Sequence, residues 1–258
     1  MRIIAVCNQK GGVGKTTTTV SLAACLVEAG QRVLLVDMDP QADATAWLSE
    51  ETDAPNLLEV LLGKIPLKDA VIPSRLDGLD ILPSSNHLAM ANVQLASRMA
   101  RETALKRALE TIAPNTWDVV LIDCPPGLEL LSINALVAAE EVVIPVSTEA
   151  MPLRGLARIW NAVQEVRDLG LNPTLEVTGV LACMWQPRPT LHQQVLSEMR
   201  AELGDLMFQS VIQQNIRLSE APDHGLPINL YSPTSSGAAN YRAASQELLQ
   251  RGGGRRAA

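Results

Sequence analysis

Aromatic side chains are scarce in this 258-residue chain, where one Phe, two Tyr and four Trp make up 3% of the total. Its apolar stock is instead Ala, Leu, Val and Ile, which suits helices packed on buried parallel strands better than an antiparallel sandwich. Cysteine is also sparse: Cys7, Cys25, Cys124 and Cys183 lie far apart and form no CxxC pair. That spacing argues against a disulfide framework or a zinc site, and predicts buried thiols in a reducing cytoplasm. No window approaches the roughly 20 apolar residues of a membrane span, and the opening MRIIAVCNQ is no basic leader. The expectation is a soluble, cytoplasmic protein. An excess of positive charge is missing too, since the net charge is -7 and the pI near 5.1. This excludes wholesale electrostatic coating of nucleic acid but leaves room for a local arginine patch.

What is present is 47% hydrophobic residues, enough to bury one sizeable core at this length. Short β-branched runs alternate with longer stretches of helical period: RIIAV, Lys15 to Ala29, RVLLVD, a helix-rich segment, LDIL, Ala89 to Ile112 and WDVVLID. Further strands are predicted at EVVIPV, LEVTGVLA and a short one near PINLY, with helices at Leu153 to Leu169, Leu191 to Leu203 and Ser236 to Leu249. The fold class is therefore α/β: one domain over residues 1–250, a mostly parallel twisted sheet with helices on both faces. Runs such as VLLV and VVLI leave no solvent-facing alternation, so they belong in the sheet centre. The tail RGGGRRAA, residues 251–258, is expected to be disordered because it has no apolar partners to offset ordering entropy.

The segment KGGVGKTT, Lys10 to Thr17, follows an apolar strand and precedes a helix. In that context consecutive backbone N–H groups cradle a polyphosphate. Gly11, Gly12 and Gly14 permit close phosphate approach beside Val13, Lys15 can neutralise β and γ oxygens, the Thr16 hydroxyl can ligate Mg²⁺, and Thr17 reaches toward the α-phosphate. A turn used only to cap a helix would not need two lysines, three glycines and two threonines in eight residues. The ordinary G-x-x-x-x-G-K-[ST] pattern is not strictly met, because Gln9 holds the first glycine position and Lys10 stands at the loop entrance.

VLLVDMDPQ ends a buried strand with Asp37 and Asp39, which share one side of an extended chain at the carboxyl edge where such sheets place ligands. Asp123 ends VVLID and is the Walker-B-like carboxylate, suited to holding Mg²⁺ through a water, with CPPG after it as a turn that senses γ-phosphate. Each aspartate alone could be a strand-end cap or turn former. No [NT]-K-x-D pattern for reading guanine occurs, so ATP is the expected nucleotide. The segments around Met184 and around Gln213 to Asn215 are candidate walls for its adenine.

KGGVGKTTT, VLLVDMDPQ and DVVLIDCPPG together, in order and spacing, resemble the ParA/MinD/Soj group of deviant Walker-A ATPases. ILPSSNHLA and NIRLSEAPDHGLPINLYSPTSSGAANY resemble its short, Soj-like branch. The resemblance implies that Asp39 orients the attacking water, Asp37 supports the metal shell and Asp39-Pro40-Gln41 forms switch I. It gives Lys10 a reach across an ATP-dependent homodimer to the partner subunit's phosphates. Arg188 and Arg217 fall where Soj-like proteins contact nonspecific DNA, with local ion pairing or plain solvation as the alternative for each. A ParB-like partner would stimulate slow hydrolysis, and the protein would associate with the nucleoid. The family's other common output, a C-terminal membrane-binding helix, is not expected, because the tail lacks a bulky apolar face. An N-terminal helix-turn-helix domain is likewise not expected. Two departures touch the DNA and partner surfaces: Gln213-Gln214 replaces the usual Pro-Arg, and Arg154-Gly155-Leu156 replaces Glu-Gly-Leu. They keep alive a nucleotide-gated protein-interaction or MinD-like positioning switch without DNA binding.

Overall fold

The computed structural model describes residues 1–50, 56–148, 152–188 and 190–253. Eight strands form one sheet: β1 (Arg2–Val6), β2 (Val33–Asp37), β3 (Ile72–Pro73), β4 (Leu79–Leu82), β5 (Val119–Asp123), β6 (Glu141–Ser147), β7 (Glu176–Trp185) and β8 (Met207–Gln213). Their spatial order is β3-β4-β2-β5-β1-β6-β7-β8, parallel throughout except for the two-residue β3. Every residue of β2, β5 and β6 is buried, as strands covered on both faces require.

The chain first covers one face with α1 (Lys15–Glu28) and α2 (Asp43–Leu48). It then crosses to the other with α3 (Leu57–Leu61), α4 (Leu67–Ala70), α5 (Ala91–Leu95), α6 (Ala104–Leu109), α7 (Leu130–Ala138), α8 (Pro152–Asp168) and α9 (Thr190–Leu203). It returns to the first face with α10 (Ile216–Glu220), α11 (Ile228–Tyr231) and α12 (Ser236–Gly253). Two apolar clusters result, one on each side of the sheet.

Pro145 sits inside the central strand β6, a position that would normally lose a ladder bond. The last β1–β6 pair is Val6 with Val143, so Pro145 lies beyond the end of β1. There its carbonyl accepts from the Asn8 side chain at 2.7 Å.

Four expectations are corrected. PINLY is not a strand: Pro227 has no N–H to give a ladder, and residues 228–231 form the single turn of α11. The sequence reading lacks two strands, the two-residue β3 and β8, whose half-buried FQSVIQ closes the sheet beside β7. The segment from Ala89 to Ile112 is not one helix, because it breaks into short pieces where Ala100 takes the left-handed φ of 53°. The tail begins later than expected, since α12 continues through Gly253. Residues 254–258 lie outside the described set.

The end of α12 is held by side-chain contacts. Arg251 donates to the carbonyls of Thr178, Asp205 and Met207 at 3.0, 2.8 and 2.6 Å, and its guanidinium lies 4.4 Å above the Phe208 ring. It also pairs with Glu247 at 2.8 Å, while that carboxylate accepts the backbone N–H groups of Gln209 and Ser210 at 2.9 Å each. Gly252 packs so closely on Arg2 that a Cβ there would sit 2.1 Å from the guanidinium carbon.

Arg251→Ala is expected to cost about 2–3 kcal/mol in urea unfolding, since it strips several partly buried carbonyls of their donor. Burial pushes the Glu247 carboxyl up, but its two backbone donors and Arg251 outweigh this and hold it below its ordinary 4.5. The ion-pair part of the cost is thus present above that value and shrinks as pH falls through the lower folded one. A loss under 0.5 kcal/mol at neutral pH would show that Arg251 is merely resting on the surface.

Candidate nucleotide site

The phosphate loop runs from the end of β1 to the first turn of α1. Gly12 and Gly14 take φ of 72° and 87°, which a side chain would strain, and Gly14 is the residue from which α1 starts. The loop entrance is pinned by Asn8, whose Oδ1 accepts the Lys10 N–H at 3.0 Å while its amide holds Pro145. Lys15 is buried at the head of α1, and its Nζ donates to the Lys10 carbonyl at 3.3 Å. Lys10 itself is exposed, and its ammonium makes no ion pair among the described residues. Gly11, Val13, Thr16 and Thr17 complete the turn, with Val13 buried beneath it.

Gln9, where the ordinary motif has glycine, is a junction: its carbonyl accepts from Gly127 N at 3.2 Å and its side-chain oxygen from Arg158 at 3.0 Å. The turn after β5 and helix α8 are thereby both fastened to the loop.

Asp37 and Asp123 end neighbouring strands in direct register, both without solvent exposure. Asp123 accepts from Thr16 Oγ1 at 2.8 Å and from Thr19 Oγ1 at 2.9 Å. Asp37 accepts from the Thr45 hydroxyl at 2.7 Å, the Thr45 N–H at 2.9 Å and the Asp39 N–H at 3.1 Å. Burial, and for Asp123 the neighbouring Asp37 charge, push both carboxyls upward. Two buried carboxylates beside a threonine hydroxyl form a hard-oxygen donor set that a divalent cation would relieve of its repulsion, so Thr16, Asp37 and Asp123 fit Mg²⁺. Asp39 is also nearly buried, its Oδ1 taken by the Gln41 N–H at 2.9 Å and its carbonyl by Ser84 Oγ at 2.7 Å. Thr19, Thr45 and Asn8 escaped the sequence reading. Only Thr19 left a signal, standing three residues after Thr16 on the same helix face.

Beside the loop is a cavity of about 210 Å³, whose walls include Gly14, Thr17, Met184, Gln213, Asn215 and Tyr241. The candidate adenine walls from β7, β8 and the turn into α10 therefore do converge, and they do so next to the phosphate loop. Met184 takes a left-handed φ of 57° there. Tyr241 Oη, buried, lies 3.1 Å from Thr18 Oγ1 and ties α12 to α1.

The candidate arginines do not line this cavity but follow its walls, Arg188 after Met184 of β7 and Arg217 after Gln213 to Asn215, past the loops that leave the two strands. Arg188 is exposed, three residues past the end of β7, and makes no ion pair among the described residues. Arg217 is exposed in α10, where the Asn215 side chain caps its N–H, and it pairs with Glu220 at 2.8 Å. The loops are joined by a Gln186–Gln214 side-chain hydrogen bond and by Gln214 N donating to Trp185 O at 2.9 Å. The Arg154 side chain lies outside the described residues. All four cysteines are buried and free.

Comparison with known proteins agrees with this geometry. The AAA_31 model, an AAA domain, matches residues 1–177. The chain is 45% identical to the sporulation initiation inhibitor protein Soj of Bacillus subtilis, over 97% of this chain and 99% of that protein. It is also 45% identical to the chromosome-partitioning ATPase Soj of Thermus thermophilus, over 97% and 96% respectively. Among solved structures, cobyrinic acid a,c-diamide synthase from Mycobacterium smegmatis, with an ATP analogue and magnesium bound, superposes with a TM-score of 0.84 at 36% identity, covering 97% of this chain and 95% of that one. Phosphate loop, paired strand-end aspartates and near full-length kinship converge, and the chain belongs to the AAA_31 family of AAA domains, among the Soj/ParA chromosome-partitioning ATPases.

Proposed function

We propose that this protein is an ATP-dependent dimerising switch that binds nonspecific nucleoid DNA and positions or segregates a chromosome, plasmid or protein cargo. A ParB-like partner stimulates its slow hydrolysis of ATP to ADP and phosphate, and so releases it. The observation that supports DNA as the output is that Arg188 and Arg217 each follow within a few residues of a cavity wall, Met184 on one side and Gln213 to Asn215 on the other, and that the segments leaving β7 and β8 are bonded to each other. Whatever fills the cavity would set how those arginines are presented, and doubled across a dimer they would neutralise several phosphates.

Mg²⁺ held by Thr16, Asp37 and Asp123 supplies charge neutralisation on the phosphates when bound. Around it, Lys15 binds β and γ oxygens, backbone N–H groups from Gly11 to Thr17 cradle them, and Asp39 orients the attacking water. Lys10, exposed and with no ion pair among the described residues, reaches the partner protomer's phosphates, so turnover depends on dimerisation. Met184, Gln213 and Asn215 hold the adenine. A nucleotide-gated switch without DNA binding is the second reading, favoured by the Glu220 carboxylate already paired with Arg217.

Binding to a nonspecific duplex at two salt concentrations, with ADP, ATP or no nucleotide, separates the two. Salt-sensitive binding with ATP alone, weakened at least about tenfold in Arg188→Ala and Arg217→Ala, is the expected result. Absence of binding in every state would leave only the second reading.

A further inference from the structure

Arg217 is exposed yet already engaged. Its Nη1 donates to Glu220 Oε2 at 2.8 Å, and the Tyr231 hydroxyl donates to the same oxygen at 2.9 Å. His224 stacks on Tyr231 with ring centroids 4.7 Å apart, closing a small polar cluster between α10 and α11. The guanidinium and the phenol hold the Glu220 carboxyl below its ordinary range, so it stays ionised at neutral pH. No comparable anion sits on Arg188 among the described residues. The cluster thus treats two otherwise similar surface arginines differently: one is free for an incoming phosphate, the other already has a carboxylate in the place a phosphate would take.

Resting on the DNA-binding reading above, we propose that Glu220 is an affinity-setting residue of that face, a built-in anion that a DNA phosphate must displace from Arg217. Carboxylate and phosphate compete for the same charge-assisted donors. A phosphate arriving at Arg217 also meets the negative charge of Glu220 directly, at a surface where salt screens both. Each Arg217 contact is therefore weak and exchangeable, and the dimer can leave DNA without unfolding any element. Orientation of Arg217 does not need the charge: Asn215 caps its N–H, and an uncharged amide at 220 would still accept from Tyr231 and Arg217.

The test is Glu220→Gln measured with a nonspecific duplex and ATP, beside wild type, Arg217→Ala and the double variant. The expected result is roughly 3- to 10-fold tighter binding at low salt, a gain that shrinks as salt rises. On the Arg217→Ala background most of that gain should vanish, because the carboxylate then has no guanidinium to neutralise. Equal or weaker binding by Glu220→Gln, with an unfolding midpoint matching wild type, would overturn the proposal and make Glu220 a scaffold for Arg217. If only Glu220→Gln binds, the brake is complete in the native chain and the proposal stands. If neither binds in any nucleotide state, the DNA reading itself fails and takes this proposal with it.

Discussion

Lys15→Ala should abolish measurable ATP binding, raising Kd roughly a hundred-fold or more. The side chain is buried at the first turn of α1, and its ammonium lies within the loop, bonded to the Lys10 carbonyl at 3.3 Å. Its hydrogen bonds to phosphate oxygens would be charged on both sides, each contributing about 1.5–3 kcal/mol, and a pair of them corresponds to that loss. The fold should survive, because the Lys15 backbone carbonyl still accepts from Thr19 and the Thr16 and Thr19 bonds to Asp123 are untouched. Titration calorimetry with MgATP checks this directly. Binding within about threefold of wild type would mean the polyphosphate lies elsewhere.

Asp39→Ala should separate binding from turnover. Asp39 makes few structural bonds with its side chain: one oxygen accepts the Gln41 N–H, while Asp37 and Ser84 hold only its backbone. Removing the carboxylate therefore leaves the strand end in place and withdraws the group proposed to orient water, a role that contributes about 10²–10⁴-fold elsewhere. The expected outcome is a hydrolysis rate lowered roughly a hundred-fold, near-native ATP affinity and a dimer that accumulates with ATP in light scattering. Free hydrolysis by this variant would refute the assignment. A parallel loss of nucleotide affinity would instead place Asp39 in the metal shell with Asp37.

The phosphate loop was legible because its physics is local: glycines, lysines and threonines within eight residues carry their own geometry. Asp37 and Asp123 were legible for a related reason, each ending an apolar run that could only be a buried strand, with Asp39 two residues beyond the first. Their supports were not. Thr45 reaches Asp37 through the way the turn after β2 folds into α2, and Asn8 reaches Pro145 because β6 lies beside β1, the first a matter of turn geometry and the second of strand order. The same limit applied to β8, since a half-buried edge strand carries too few apolar residues to stand out from polar linker sequence. PINLY erred in the opposite direction. Its Ile, Leu and Tyr read as strand, yet Ile228 and Tyr231 pack on the α1 and α12 side of the sheet while Leu230 is exposed, and Pro227 has no N–H to give a ladder. Arg251 shows how composition can mislead: glycine and arginine around it signalled disorder, whereas three carbonyls and a phenyl ring give it a fixed place.

The way α12 lies along β8 also bears on how copies of this protein can associate. A parallel sheet with a bare rim can recruit a strand from a neighbour and grow without limit. Here Glu247, Asn240 and Arg251 take four backbone groups of β8, the N–H of Gln209, Ser210 and Gln213 and the carbonyl of Met207. The opposite rim is the two-residue β3, half of which is Pro73 and has no N–H to offer. Both rims are thus obstructed as templates, which favours association through side-chain surfaces over growth by strand addition. The closed dimer proposed above is compatible with such a sheet, and a self-propagating fibre would first have to strip these contacts from its edges.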